Sequence, residues 1–429
     1  MFGSILGQPA VCQLAQDALA GILAPSMLFA GPPATGKGTA ALELARIFSC
    51  EDPAVPEDCT CQACSRHRLL THPDLLILGP RSFFAEMSAA AACCFRKPET
   101  EGRLLFIRSV RKLLARFSPV FWEEDPRFKK LSESVLTIEE ALDEFLTLKP
   151  EGVKKAGETI LKQAVKLESE GMSEFIPIGH IRRAAVWSHL APTGKRKFLL
   201  IEQADRMQEG ARNSLLKILE EPPASISIVL TSSREKALLP TILSRLRPYR
   251  FSRRSAEVEG EVIRRVFQDT ADGGLQTYLE AFLPVSEESL RPLAAFFAAF
   301  IARGTVLALK RRGRSFPDEL VALGTYAAAQ GASLGKPSQD TQRVIAQVLE
   351  GAGKFEIRGL FGQFLQMLLR VVSESAASSA YALGSGYADI WRKYTSEAAS
   401  AVGTYNQSPV LALERLSAEL RQALVARWS

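Results

Sequence analysis

Short apolar runs, each followed by a stretch of helical periodicity, dominate the first half of the chain. The run Ser26–Ala30 leads into a glycine-rich loop, and the apolar positions from 40 to 48 then recur at helical spacing. A second helical pattern covers 209–219. Three more apolar runs have the length of buried strands, namely 75–78, 198–201 and 226–231. Buried strands that alternate with helices predict a parallel, doubly wound α/β sheet.

A long polar stretch with helical periodicity separates the second and third predicted strands. Between about 81 and 174, apolar residues recur at every third or fourth position, as at Ile107, Val110 and Leu113. A crossover within one sheet needs far fewer residues, so we predict an inserted helical subdomain. Beyond Arg250 the chain is rich in alanine and in helical patterns as far as its C-terminus.

Composition places the chain among globular proteins. Its 429 residues, of which 47% are hydrophobic and 23% charged, exclude a largely disordered chain and suggest about three domains. The net charge of +6 permits contact with nucleic acid but does not require it. The apolar stretch 292–302 is shorter than the ~20 residues that span a bilayer, and the N-terminus lacks the basic segment of a signal peptide. These features predict a cytoplasmic protein with no membrane partner.

The glycine-rich loop matches most of a phosphate-binding motif. Gly31 and Gly36 have the spacing that lets backbone N–H groups converge on phosphate oxygens, and Lys37 is placed to reach the terminal phosphates. The next position usually carries the hydroxyl that ligates magnesium, but here it is Gly38, followed by Thr39. An accidental glycine turn is the alternative, and the strand before the loop and the helix after it argue against it. The motif makes ATP a candidate ligand and leaves magnesium open.

The third predicted strand ends in Glu202 and Gln203. In nucleotide hydrolases this place usually carries an Asp that binds magnesium and a Glu that polarises the attacking water. Glu202 is a longer carboxylate, and the Gln203 amide cannot accept a proton as a carboxylate does. The pair therefore predicts weakened hydrolysis. The alternative is a buried strand that merely ends in polar residues.

Four of the seven cysteines crowd together just after the helix that follows the loop. They are Cys50, Cys59, Cys61 and Cys64. Four thiolates suit a tetrahedral, structural zinc ion, whereas free thiols are the alternative. The one-residue gap between Cys59 and Cys61 is tighter than usual, which leaves open that His67 or His72 replaces one sulfur.

Several further motifs occur in one order along the first 250 residues. They are Gly7-Gln8, the four cysteines, His72–Leu75, Leu215–Pro223 and Pro240–Arg245. Together they resemble the bacterial DNA polymerase III clamp-loader subunits of the gamma/tau and delta-prime type. The resemblance covers about residues 1–80 and 176–250, does not include the insertion, and is loose beyond Arg250.

This resemblance implies an architecture. It implies a RecA-like AAA+ nucleotide-binding module over 1–250, which includes a zinc-binding segment at 50–64 and the helical insertion at about 81–174. A helical lid over 251–310 and a C-terminal helical collar over 311–429 would follow. The collar would hold the subunits in a hetero-oligomeric ring.

The resemblance also implies roles for single residues. Gamma/tau-type subunits hydrolyse ATP, whereas delta-prime usually does not and lends an arginine to a neighbour's ATP. Arg245 stands in Ser244-Arg245-Leu246, where the family has Ser-Arg-Cys, and is therefore expected to be a trans-acting arginine finger. Thr231 falls where the family carries a residue that senses the γ-phosphate.

The departures from a hydrolysing subunit favour a delta-prime-like protein with weak or absent ATPase activity. Such a subunit helps to load the sliding clamp onto primed DNA, with gamma/tau and delta subunits as partners. Lys37 and Thr39 keep an active gamma/tau-type ATPase open as the alternative. A nucleoside monophosphate kinase is a remote alternative, because Gly36–Thr39 resembles the adenylate kinase loop, but it explains neither Leu219–Pro223 nor Ser244-Arg245.

Basic residues are frequent in the first part of the insertion. Residues 96–116 contain seven Lys or Arg against two Glu. These cations could contact DNA phosphates, or they could form a solvated helix face beside the apolar stripe. The sequence does not predict what the insertion does.

Overall fold

The structure is a computed structural model in which the chain forms two compact units, Met1–Leu283 and Pro284–Ser429. The residues described are 2–3, 5–80, 82–122, 125–173, 175–271, 274–282, 287–315, 317–329, 357–378, 385–403 and 407–428.

A five-stranded parallel sheet forms the centre of the first unit. In chain order its strands are β1 (Ser26–Ala30), β2 (Leu75–Leu78), β3 (Lys197–Ile201), β4 (Ile226–Ser232) and β5 (Arg247–Arg250). Their order across the sheet is β2-β3-β4-β1-β5, and every neighbouring pair is parallel. The first four strands are the predicted apolar runs, so the α/β prediction is confirmed. Strand β5 was not predicted, because a short edge strand with two arginines and Pro248 lacks an apolar run.

Helices cover both faces of this sheet. They are α1 (Pro9–Leu19), α2 (Lys37–Ser49), α3 (Gln62–Arg68), α4 (Phe84–Arg96), α5 (Thr100–Leu114), α6 (Pro119–Trp122), α7 (Phe128–Thr147), α8 (Pro150–Gly171), α9 (Ile178–His189), α10 (Glu209–Glu220), α11 (Pro240–Leu243), α12 (Ala256–Val262) and α13 (Leu275–Glu280). Alternate residues of β1 belong to different cores: Met27 and Phe29 pack with α1 and α2, whereas Leu28 packs on the opposite face. A strand buried on both faces reads as an unbroken apolar run.

The segment between β2 and β3 folds into helices that share a core with the sheet. Helices α4, α5, α7 and α8 lie in it, with a short 3-10 turn at Ala115–Phe117 after α5. Phe106, Leu113 and Phe145 are fully buried and belong to the same hydrophobic core as Leu76 and Leu78 of β2. The segment therefore shares a core with β2 and is not an independent appendage.

The second unit is helical throughout its described residues. Its helices are Glu287–Arg311, Asp318–Ala329, Ile357–Ser378, Ser385–Gly403 and Pro409–Trp428. Within the described chain, one helical stretch, Leu290–Arg311, is long and apolar enough to cross a membrane, and Phe297 and Ile301 on it are buried in this unit's core. The boundary between the two units falls inside 251–310, and the assignment of a lid and a collar stays a prediction.

Candidate functional site

The phosphate loop lies between the end of β1 and the start of α2. Gly31 has a φ of 149°, and a Cβ built on it would lie 2.2 Å from the Phe251 carbonyl oxygen. Gly36 has a φ of 90° and is the residue just before α2. Both positions favour glycine, and the N–H groups at the start of α2 provide donors for an anion.

Gly31→Ala should lower the free energy of unfolding by about 3 kcal/mol, because the methyl group meets backbone that cannot move aside. The matched control is Gly260→Ala in α12, where a Cβ meets nothing within 4 Å. Alanine there should stabilise the chain by up to about 1 kcal/mol. Urea unfolding of both variants beside the unmodified chain measures the two effects. Equal midpoints for both variants would contradict this account of the loop.

Two cationic side chains hold the loop in its shape. Lys37 Nζ donates a hydrogen bond to the Gly31 carbonyl oxygen at 2.7 Å and another to the Pro32 carbonyl oxygen. Arg254 Nη1 donates to the Ala34 carbonyl oxygen at 2.8 Å. Sequence reasoning missed Arg254, and the only signal was a pair of arginines shortly after β5.

The carboxyl ends of β3 and β4 bring the predicted Glu202, Gln203 and Thr231 together beside the loop. The Gln203 N–H donates to Thr231 Oγ1 at 3.3 Å, and Gln203 has left-handed backbone with a φ of 52°. The Glu202 side chain forms an ion pair with Arg116, which comes from the 3-10 turn of the insertion. Arg116 is buried, and its guanidinium lies 5.1 Å from the centre of the Phe83 ring.

Asp205, the next carboxylate after β3, is also held by protein groups. Ser232 Oγ donates to it at 2.7 Å, and Arg234 Nη2 lies 2.9 Å from its Oδ2. Both carboxylates at this strand end are therefore matched by arginines. With Gly38 lacking the hydroxyl and Glu202 paired with a guanidinium, this donor set does not fit a magnesium ion.

The four predicted cysteines do come together. Their Sγ atoms lie within 4.8 Å of one another, and Cys61 is half-buried whereas the other three are buried. A tetrahedron with Zn–S distances of about 2.3 Å has edges of roughly 3.8 Å, so the cluster fits zinc. The described residues hold no other group of His, Cys, Asp and Glu with metal-binding geometry.

The electrostatics of the cluster also fit a metal-bound thiolate set. Burial raises the pKa of Cys64 to about 12, against an opposing hydrogen bond from Arg46, whose Nη1 lies 3.1 Å from Cys64 Sγ. For Cys61 the effect of burial is outweighed by backbone hydrogen bonds, which lower its pKa to about 7. A divalent cation would favour the thiolate form that burial opposes at Cys64.

The two histidines that were alternative ligands have other contacts. His67 Nε2 lies 2.8 Å from Ser49 Oγ, and the His67 ring stacks on His72 at 4.1 Å between centroids. His72 Nδ1 accepts a hydrogen bond from the Asp74 N–H at 3.2 Å. The candidate metal cluster consists of the four cysteines alone.

Arg245 lies at the amino-terminal ends of the parallel strands, whereas the chain's own phosphate loop lies at their carboxyl ends. It precedes β5, where the parallel strands begin, whereas the loop follows β1, where they end. The five residues of β1 separate these two ends of the sheet by about 16 Å. The side chain is one-third exposed, with Nη2 2.8 Å from Glu220 Oε1 and Nη1 2.8 Å from the Thr241 carbonyl oxygen.

Several basic residues of the insertion form contacts inside the protein. Arg103 donates to the carbonyl oxygen of Leu148 at 2.6 Å, and Arg111 pairs with Asp143 at 2.8 Å. Arg103, Arg111 and Arg116 are buried. For these three, both sequence interpretations, DNA contact and a solvated face, are wrong. The apolar periodicity identified the helices, but it carried no signal of which cations turn inward.

A parallel sheet of this order, with a phosphate loop after β1 and polar strand ends at β3 and β4, defines a P-loop α/β module. A family model described as DNA polymerase III, delta subunit, matches residues 7–127 and 129–255, more than half of the chain. The chain therefore belongs to this family of clamp-loader proteins. The match includes the motifs that a nucleoside monophosphate kinase did not explain, and that alternative has no further support.

Two known proteins are also similar to this chain. A DNA polymerase III subunit delta' from Pseudomonas aeruginosa is 47% identical over 55 residues, which are 13% of this chain and 17% of that protein. The chain thus matches less than a fifth of that relative's length. A crystal structure of a DNA polymerase III gamma subunit-related protein from Thermotoga maritima has 21% identity and a TM-score of 0.28, covering 59% of this chain and 81% of that one.

Proposed function

We propose that this chain is a delta-prime-like clamp-loader subunit that does not hydrolyse ATP. The observation that carries the proposal is the ion pair between Arg116 and Glu202. A carboxylate that a buried guanidinium already neutralises is a poor ligand for a catalytic metal. The next residue, Gln203, offers an amide where hydrolysis needs a proton acceptor.

The second part of the proposal is that Arg245 acts on the ATP of a neighbouring subunit. Arg245 lies at the amino-terminal ends of the strands, remote from the chain's own loop, and this position supports a role in trans. A guanidinium supplies a fork of fixed-charge donors for the charge that develops on a transferring phosphoryl group. Thr231, by contrast, would face a nucleotide in this chain's own loop, beside Gly36 and Lys37.

The family supplies the setting for these roles. We propose gamma/tau and delta subunits as ring partners, and the sliding clamp and primed DNA as the substrates of the assembled loader in the cytoplasm. The helices after 310 would form the collar that joins the ring, and 251–310 the lid. The cluster at 50–64 would hold one structural zinc ion.

An active gamma/tau-type ATPase is the second candidate. The observation that favours it is Lys37, which is in the loop with its ammonium directed at loop carbonyl oxygens, where a phosphate group would be bound. Thr39 is exposed in the first turn of α2 and retains a hydroxyl. This candidate requires Arg116 to leave Glu202 when a nucleotide and a metal bind.

Purified alone, the chain should turn over ATP at least about 10²-fold more slowly than an active clamp-loader ATPase, because removal of a positioned base costs on that order. Steady-state phosphate release with magnesium present measures the rate. Lys37→Ala serves as the control that separates turnover at this loop from a contaminating ATPase. Rapid turnover that disappears in Lys37→Ala would contradict the proposal and establish the gamma/tau alternative.

A further inference from the structure

The insertion contributes side chains to a small cavity beside the start of α2. Helix α5 and the 3-10 turn after it bring Lys112 and Arg116 to the wall of a small cavity beside the loop. That cavity is lined by Gly38, Leu42, Ile77, Lys112, Arg116 and Glu202. One wall therefore comes from the phosphate loop and its helix, one from the sheet, and one from the inserted helices.

Arg116 is fixed in place from several directions. Trp122 Nε1 donates a hydrogen bond to the Arg116 carbonyl oxygen at 2.8 Å, which anchors the turn. The guanidinium lies against the Phe83 ring and pairs with Glu202, and the Arg116 side chain is 3% exposed. Lys112, one turn earlier, is held by an ion pair with Glu86. These contacts fix the Arg116 side chain in one position beside the loop.

The guanidinium and a divalent metal compete for the same carboxylate. Magnesium needs oxygen ligands at about 2.0–2.1 Å, so it would have to displace Arg116 from Glu202. That displacement would leave a buried cation without its counter-charge, next to the incoming metal. Arginine does not lose its proton in proteins, so raising the pH does not release Arg116 from Glu202. Gly38 adds no hydroxyl to offset this cost.

We propose that Arg116, supplied by the insertion, takes the place of the divalent cation in this phosphate site. The ligand is a nucleoside 5′-di- or triphosphate, which the loop N–H groups and Lys37 bind without magnesium because Arg116 already compensates the Glu202 carboxylate beside them. The inference rests on the proposed function, since a site that holds nucleotide without a metal has no means of hydrolysing it. It also assigns a role to the insertion.

The test is the affinity of the purified full chain for fluorescent N-methylanthraniloyl-ADP, titrated once in EDTA and once in excess magnesium. The unmodified chain should give dissociation constants equal within about twofold. Arg116→Met, which keeps the aliphatic stem, should bind about tenfold more weakly in EDTA and regain affinity with magnesium. Lys97→Met, which changes an exposed basic residue of the same insertion, should match the unmodified chain.

A second variant covers the case in which Arg116→Met fails to fold because Glu202 is left buried. The double variant Arg116→Met/Glu202→Gln removes both charges of the pair, so its affinity should be close to that of the unmodified chain and should not depend on magnesium. The inference is overturned if the unmodified chain requires magnesium for binding or binds no nucleotide, or if Arg116→Met keeps its full affinity in EDTA.

Failure of the proposed function gives a different result in the same samples. Phosphate release from ATP, measured beside each titration, would overturn the non-hydrolysing assignment. Magnesium-dependent binding without turnover would overturn only the role of Arg116. Binding that is independent of magnesium, with no turnover, supports both.

Discussion

In a clamp loader reconstituted with Arg245→Ala, ATP hydrolysis at the one neighbouring site that this arginine serves should fall by about 10³-fold or more. The chain's own folding and its assembly into the complex should be unchanged, because Arg245 is partly exposed and is paired with Glu220, which is itself exposed. Such surface pairs contribute about 0–1 kcal/mol, so the side chain is readily released to a partner's phosphate. Clamp- and DNA-stimulated phosphate release measures the effect.

Two further variants sharpen this test. Arg250→Ala removes another exposed arginine at the other end of β5, where its partner is Glu235, and should leave the rate unchanged. Arg245→Lys keeps the charge but lacks the planar fork of donors, so it should restore little activity. If the complex with Arg245→Ala hydrolysed ATP and loaded clamps at the unmodified rate, the assignment of the trans finger would be wrong.

Cys64→Ser should abolish stoichiometric metal binding and unfold the segment around the cluster. The unmodified chain, purified under reducing conditions, should contain about one zinc ion per chain. Binding of structural zinc is worth about 10–16 kcal/mol in small zinc domains, so its loss removes the main force that orders such a short segment. Metal analysis gives the stoichiometry, and hydrogen exchange over 50–68 reports the unfolding.

Cys12→Ser is the matched control, because Cys12 is exposed and lies outside the cluster. That variant should keep its zinc and the protection of 50–68. Removal of zinc from the unmodified chain by a chelator should reproduce the Cys64→Ser exchange pattern, which separates loss of the metal from loss of one thiol. An unmodified chain without zinc, or a Cys64→Ser chain that keeps it, would overturn the structural role.

Features that depend on neighbours along the chain were predictable from the sequence. The apolar runs identified β1 to β4, and the glycines at 31 and 36 identified the loop, because strand burial and left-handed backbone constrain residue type locally. The four cysteines lie within fifteen residues, so their meeting required only one loop and one helix. The prediction of their cluster is correct for this reason.

The order of the strands and the surroundings of the site were decided by the tertiary structure. Arg116 reaches Glu202 from 86 residues away, and Arg254 reaches Ala34 from 220 residues away. Neither contact can be predicted from local periodicity, because the apolar spacing of a helix is the same whether one of its arginines faces solvent or a buried carboxylate. Its direction depends on how the insertion folds back onto β2. The sequence thus predicted which residues form the loop. The pairing of Arg116 with Glu202, which sets the charge beside the loop, arises only when distant segments pack together.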